Sequence, residues 1–520
     1  MKNKAFFGEK QAQWLEKAAK SRPTLHETRI KPVALIETKA DKKAWQGVAV
    51  KAIPGGLEAM KEHYHWAKTW ILDFGRHITG TIELKWHTLA RNDSPLRIDF
   101  KFAETPYELA TEFETYHGHL DRSWLQDGVI VLDDFQPLVR FQRRYAFRYV
   151  KLRLGAPNFD IQIDDITAIA QTSANDSRYT PIPEGGALTK QEIAIEKCSA
   201  WTLRECMQTI FEDGPKRDRR LWLGDLRVQA LVNGVTYRNY ALVERCIYIL
   251  AGSCNPKGEI PGAAYDAKDG FSASCMVQTY ALLLAPLLLE HLNFYGRKAF
   301  CKELFPVALH QIDLFRKVID KDGKIIPGKC SWLFIDHDAD LCRETPALGL
   351  YLFSLRNAAK LGELLGMPQP ELVAEADKLA KQLKERCFDA KTGLFRSDDE
   401  TRQFSWATQI WFILGDVVTG KEALKVWKAM LASKEARRPH TPYLWNSVLE
   451  MGTHVGDNAG VRKIIREYWG GMLARGLDTF PEVFVPENQF FSSYGDCLMN
   501  SDCHAWSCGA GYYLRLLANI

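Results

Sequence analysis

The chain has 520 residues, 46% of them hydrophobic and 25% charged, with a mean hydropathy of -0.24. That is the composition of a folded globular protein of more than one domain. Its formal net charge is only +4, with basic and acidic residues interspersed, which argues against the continuous basic face that nucleic acid needs. No apolar run reaches the roughly 18 residues of a membrane span; the longest, 281–289, is interrupted by Pro286. The first ten residues carry positive charge with no apolar stretch behind them, so no leader is read and a cytoplasmic location is expected.

In chain order, residues 1–65 read as an N-terminal arm or as additional strands. From 66 to about 175 the pattern is that of an antiparallel β-sandwich. Apolar and polar side chains alternate over 70–75, 79–86, 96–102, 149–154 and 159–166, between turns rich in Gly, Pro, Asn and Asp. The stretch 173–186 reads as a linker. Beyond it the apolar period becomes helical over 188–211, 236–251, 274–296, 299–319, 344–365, 370–389, 402–415, 420–433, 440–456, 459–475 and 501–518. Helices without sustained strand alternation exclude a βα barrel; antiparallel pairs closing into an (α/α)6 barrel over 176–520 would bury them all. All 12 Cys fall between Cys198 and Cys508 with no C-x-x-C pair, so buried free thiols are expected rather than disulfides or zinc.

Chemistry concentrates in the connections. The segment 212–225 sets Glu212, Asp213, Asp218 and Asp225 beside Lys216, Arg217, Arg219, Arg220 and Trp222. Carboxylates and arginines fix hydroxyl groups, and a Trp face packs on the C–H face of a sugar; the plainer reading is a surface salt-bridge network capping two helices. Glu482 stands among aromatic residues, an environment that raises a carboxyl pKa toward that of a useful base. The segment 329–340 offers Trp332, Asp336 and His337. Its Asp336/Asp338/Asp340 spacing lacks the glycine and distal glutamate of a calcium loop, so no metal is expected there. His504 opens the last helical segment as a ligand contact or a satisfied helix-start histidine, and the loop 255–266 reads as a pocket rim.

These segments, in this order, resemble the α-L-rhamnosidases of glycoside hydrolase family 78. The loop matches at Asp213, Pro215, Arg217, Trp222 and Asp225; Thr479-Phe-Pro-Glu482 resembles the late base motif, and His504 matches a histidine some twenty residues further on. The resemblance covers about 66–520, and the family's further β domains have no counterpart in it. It implies a β-sandwich followed by an (α/α)6 barrel and an inverting cleavage of terminal α-L-rhamnosyl groups. No cofactor is implied, and a carbohydrate substrate is the expected partner. The family's acid is usually a Glu. Counting forward from Asp213 reaches Arg219, which stays charged; counting back from Trp222 and Asp225 reaches Asp218, leaving Glu212 as the fallback. The resemblance thus assigns Asp218 as acid and Glu482 as base. Asp213, Arg217, Trp222, Asp225, Trp332, Asp336 and His504 are expected to contact the sugar. The same barrel acting on another terminal sugar, and an inactive carbohydrate-binding relative, are the alternatives. A helical-repeat scaffold would leave the clustered Trp and carboxylates unexplained.

Overall fold

The structure is a computed structural model that describes residues 6–61, 68–88, 95–132, 137–155, 161–267, 270–398 and 400–520. Nine strands form one antiparallel sheet: β1 (His26–Ile30), β2 (Ala34–Ala40), β3 (Val48–Ala52), β4 (Lys68–Thr88), β5 (Leu96–Ala103), β6 (Asp127–Leu132), β7 (Leu138–Arg140), β8 (Tyr145–Leu154) and β9 (Ile161–Thr172). The order is β1-β9-β4-β8-β5-β6, with β2 and β7 also on β4 and β3 on β2. The expected strands at 70–75 and 79–86 are the two halves of β4, joined across a register shift between Asp73 and Ile78. Residues 68–73 and 78–80 pair with β8, and 80–88 with β9. Gly80 sits at the change of partner, where a Cβ would lie 2.1 Å from the Ile169 carbonyl oxygen, so only glycine admits this approach. Inward positions of the alternation, among them Leu72, Ile82, Leu84, Ile98, Phe102, Phe147 and Val150, make the sandwich core. Of the strand expected over 159–166, residues 159–160 lie outside the described residues. Residues 26–52 add three strands to the sheet, and the helix Glu9–Lys20 instead docks on the second domain.

That second domain contains, among the described residues, twelve helices of eight residues or more. Six form an inner ring: Leu223–Val235, Leu284–Tyr295, Glu344–Leu365, Trp406–Leu414, Pro442–His454 and Ala510–Leu517, each packed on the next and the last on the first. Each follows an outer helix: Lys190–Cys206, Tyr240–Gly252, Lys298–Arg316, Pro370–Cys387, Gly420–Ala432 and Asn458–Ala474. This is the (α/α)6 barrel. Outer helices carry a single apolar stripe, as in Ala423, Val426, Trp427 and Met430. Inner helices are buried nearly all round: every residue of Trp406–Leu414 is buried.

Three expectations are corrected. The segment through Asp225 is not wholly a loop, because Leu223–Val235 is a helix. Buried on all sides, with Gly224, Arg227, Gln229, Asn233 and Gly234 inside it, it presents no amphipathic stripe. The helix expected over 274–296 is two, Gln278–Ala281 and Leu284–Tyr295, and that expected over 501–518 begins only at Ala510 after a short 3-10 turn, Ala505–Ser507. All twelve cysteines are free, nine of them buried. No described helix is long and apolar enough to cross a membrane.

Candidate active site

The connections that lead from outer to inner helices gather at one end of the barrel, at the N-termini of the inner helices. There the connections 207–222, 253–283, 318–343 and 475–509 enclose a cavity of about 330 Å³. The segment 213–225 forms its floor. Gly214 allows the chain to turn tightly, since a Cβ there would lie 2.6 Å from the Arg217 carbonyl oxygen and 3.1 Å from that of Cys503. Within this turn the Asp213 carboxylate accepts from the amides of Asp218 (3.2 Å) and Arg220 (3.0 Å). Burial and then the neighbouring charge of Asp218 push the Asp213 pKa up to about 8.

Arg217 is the hub. Its Nε donates to the Met499 carbonyl (2.9 Å), one terminal nitrogen to Asp218 (3.0 Å) and the other to Glu482 (2.5 Å). Its guanidinium lies 4.1 Å from the Tyr494 ring centre, and the Tyr494 hydroxyl donates to the second Glu482 oxygen (2.5 Å). The Ser501 amide adds a further donor to Glu482 at 3.2 Å. Burial opposes the charge on Glu482, but Arg217 and then the His337 ring hold its carboxyl well below the usual range. Glu482 is therefore an ionised carboxylate.

Asp225 opens the helix Leu223–Val235 and reaches the cavity beside Tyr280, whose hydroxyl stands 3.5 Å away. Gly224 permits this contact, because a Cβ would meet the Tyr280 ring at 2.3 Å. Burial first, then the charge of Asp213, raises the Asp225 pKa well above the carboxylate range. The His504 ring lies between Asp213 (3.9 Å) and Asp225 (3.8 Å), and burial pulls its pKa down to about 3, so it is neutral. Asp225 Oδ1 and His504 Nδ1 are buried without a hydrogen-bond partner among the described residues. A hydroxyl-bearing ligand would satisfy them. Aromatic walls complete the pocket: Trp222 stands edge-on to Trp332 with ring centres 6.1 Å apart, and Phe334 is stacked on Trp506 at 6.0 Å.

Asp213, Arg217, Asp218, Trp222, Asp225, Trp332, Glu482 and His504 thus share one cavity. Asp336 is not among its lining residues. Its buried carboxylate accepts from the His440 amide (2.6 Å) and from the Thr441 amide and hydroxyl (3.1 and 2.5 Å), where Thr441 caps the helix Pro442–His454. Glu212 is bound by Arg144 of the sandwich (2.8 Å), and Arg219 turns back to carbonyls of Pro215 and Arg144, so neither lines the cavity. No separate sequence signal marks Tyr494, which lies in an irregular Ser- and Gly-containing loop, nor Leu120 and Trp124, which come from the sandwich. His337, Phe334 and Trp506 lie inside segments already singled out. Among the described residues no cluster of three or more His, Cys, Asp or Glu side chains is arranged to hold a metal.

The sandwich also ties down these loops. Buried Lys216 contacts the Glu108 carboxylate and donates to the carbonyls of Leu498 (3.0 Å) and Asn500 (2.9 Å). Glu104 accepts from the Asp502 amide (2.7 Å) and from His77 Nε2 (2.9 Å).

Carboxylates on one side and Trp faces on the other, at the end of an α/α barrel, suit a carbohydrate ligand. Residues 193–516 match the bacterial alpha-L-rhamnosidase 6 hairpin glycosidase domain, and residues 32–170 match the glycosyl hydrolase family 78 alpha-rhamnosidase N-terminal domain. The chain belongs to glycosyl hydrolase family 78 and is a glycosidase. It is similar to a rhamnosidase from Klebsiella oxytoca solved with rhamnose bound: 32% identity, TM-score 0.91, covering 97% of this chain and 98% of that one. The fold also matches the family 78 rhamnosidase of Bacillus sp. GL1, at 20% identity and TM-score 0.73 over 86% of this chain and 46% of that one. The α-L-rhamnosidase from Dictyoglumus thermophilum matches at 16% identity and TM-score 0.68, over 95% of this chain and 52% of that one. Among curated proteins none matches.

Proposed function

We propose that the chain hydrolyses terminal α-L-rhamnosides with inversion, Asp218 acting as general acid and Glu482 as general base. The observation that carries the reading is the single guanidinium of Arg217 held between the two carboxyls, at 3.0 Å from Asp218 and 2.5 Å from Glu482. An inverting pair stands roughly 6.5–9.5 Å apart with a water between, and this bridge holds the two carboxyls on either side of Arg217 in one cavity. Glu482, ionised and fixed by Tyr494 and Arg217, takes a proton from that water as its oxygen bonds to the anomeric carbon. Asp218 gives its proton to the glycosidic oxygen as the C–O bond breaks, and the products are the free sugar and the aglycone alcohol. Asp225 and His504 would hold sugar hydroxyls, while Trp222, Phe334 and Trp506 would cover the apolar face and methyl group of rhamnose. The membership in family 78 and the likeness to a rhamnosidase that binds rhamnose support the choice of sugar. Twelve free thiols support a reducing, cytoplasmic setting.

A second reading of the proton donor has its own observation. Asp218 lies between Arg217 (3.0 Å) and Arg220 (3.4 Å), whereas burial and the charge of Asp218 push the Asp213 pKa up to about 8, a range that suits a proton donor. One experiment separates the two. An aryl rhamnoside with a strongly acidic phenol leaves without a proton, whereas an alkyl rhamnoside needs one. Loss of the true acid therefore spares the first substrate and abolishes turnover of the second. Asp218→Asn is expected to show this selectivity and Glu482→Gln to abolish both activities. Selectivity in Asp213→Asn with none in Asp218→Asn assigns the proton to Asp213. Full activity in both Asp218→Asn and Glu482→Gln refutes the mechanism.

A further inference from the structure

We infer that Glu108, in the sandwich, is a positioning residue for the base Glu482 and acts on it through Lys216 and Arg217 of the barrel. The inference rests on the reading of Glu482 as base and extends the machinery around it into the other domain.

Glu108 lies in the short helix Pro106–Ala110, between β5 and β6, and is almost wholly buried. Its own helix fixes it. One carboxylate oxygen accepts from the amides of Glu104 (2.5 Å) and Thr105 (3.3 Å), as part of a capping box with Thr105. The other oxygen contacts Lys216. Lys216 is 1% exposed and donates further to the carbonyls of Leu498 (3.0 Å) and Asn500 (2.9 Å). The carbonyl between them, that of Met499, accepts from the Arg217 Nε at 2.9 Å. Two consecutive residues of the cavity floor thus grip three consecutive carbonyls of a second loop. The next residue of that loop completes the seam: the Ser501 hydroxyl donates to the Arg217 carbonyl (2.8 Å), and the Ser501 amide donates to Glu482 (3.2 Å). Two of the donors to Glu482, Arg217 and Ser501, are therefore placed by this seam.

Stability alone does not account for the Lys216–Glu108 pair. Burying two charges carries a desolvation cost that their attraction barely returns, so an apolar pair of similar volume would stabilise the junction as well. What an apolar pair lacks is a donor for the Leu498 and Asn500 carbonyls. The same stretch of sandwich holds the following part of the loop, where Glu104 accepts from the Asp502 amide (2.7 Å). The residues read as sugar contacts are anchored elsewhere. The His504 amide donates to the Phe480 carbonyl (2.9 Å), the His504 ring packs on Trp506 with centres 4.4 Å apart, and Asp225 is carried by the helix Leu223–Val235. Loosening the seam then displaces the donors to the base and leaves the place of the sugar intact.

The test compares the full chain with Glu108→Gln and with the double variant Glu108→Gln/Lys216→Met. Gln keeps one acceptor oxygen, which cannot serve both the helix start and Lys216, and it leaves the Lys216 charge buried without a counter-charge on Glu108. The double variant removes both charges and so keeps the fold. Measured are kcat on an aryl α-L-rhamnoside, the inhibition constant of free rhamnose and the urea midpoint. Both variants are expected to lower kcat by roughly 10- to 100-fold, the loss that a misplacement of about 1 Å brings. Rhamnose inhibition is expected to change by less than about twofold, since the sugar keeps its contacts. The urea midpoint should fall in Glu108→Gln and return toward that of the unaltered protein in the double variant, with no return of kcat. Recovery of kcat together with the midpoint overturns the positioning role and makes the pair structural. Unchanged kcat in both variants overturns it too, as does rhamnose inhibition weakened in step with kcat. Full activity in Glu482→Gln, or no cleavage by the unaltered protein, removes the reading of the base itself and the inference with it, before either variant is needed.

Discussion

Replacing Arg217 by Met keeps much of the side-chain volume and removes the charge that holds Glu482 ionised. Arg217 donates to Glu482 at 2.5 Å, and both side chains are almost wholly buried, at 4% and 3% exposure. Stripping one partner from such a pair costs about 3–5 kcal/mol if the remaining charge persists. A carboxylate escapes that cost by taking up a proton, and at 1.36 kcal/mol per unit the equivalent rise in pKa is about 2–4 units. Tyr494 and the Ser501 amide still donate to Glu482, which places the result toward the lower half of that range. Glu482 starts well below the carboxylate range, so its base form in the unaltered enzyme persists into acid. The assay is the pH dependence of kcat/KM on an aryl α-L-rhamnoside. The acid limb of Arg217→Met is expected to move up by about two units or more, and Arg217→Lys, which cannot bridge both carboxyls, to move part of the way. An acid limb at the same pH in Arg217→Met would show that Arg217 does not set the ionisation of the base.

Three further outcomes follow from the packing. Trp14, buried on the barrel with its indole N–H 2.8 Å from Glu303, is the anchor of the N-terminal helix. Trp14→Ala is expected to cost about 3–5 kcal/mol in urea unfolding, and an unchanged midpoint would mean that the helix is not part of the stable unit. His77, buried at the junction of sandwich and barrel, has its pKa raised to about 10, with burial opposing and Glu104 and Glu205 prevailing. A pKa above its unfolded value makes the stabilisation full below pH about 6.5 and lost as pH rises through about 10. The unfolding midpoint should therefore drop more between pH 7 and pH 10 in the unaltered protein than in His77→Gln; equal drops refute the role. Asp336→Ala leaves buried donors of His440 and Thr441 unpaired, at about 1–3 kcal/mol each. It should lower the melting temperature and leave KM unchanged, whereas a raised KM in a fully stable variant would return Asp336 to the substrate site.

The two-domain plan was legible because its signals are local. Alternation in 96–102 and 149–154 reports strands with one buried face, and outer helices such as Gly420–Ala432 show one apolar stripe. Leu223–Val235 was not legible for the opposite reason: a helix of the inner ring is covered on every side and has no period to display. At the site, the charges of 213–225 and the aromatic setting of Glu482 marked segments that come together around one cavity. That apolar setting, however, suggested a raised pKa for Glu482, whereas Arg217, 265 residues away in sequence, lowers it. Trp124 enters the cavity through docking of the sandwich on the barrel, and Tyr494 through the path of an irregular barrel loop, neither of which a local pattern records. Asp336 shows the converse: an acidic residue in a Trp-containing segment whose carboxylate is spent on the start of the inner helix Pro442–His454.

The central claim is that Glu482 directs a water onto the face opposite the departing group. Proton NMR of the earliest product from an aryl α-L-rhamnoside tests it most directly. β-L-Rhamnose is expected first, with the α-anomer appearing only by mutarotation; α-L-rhamnose as the first product contradicts the claim.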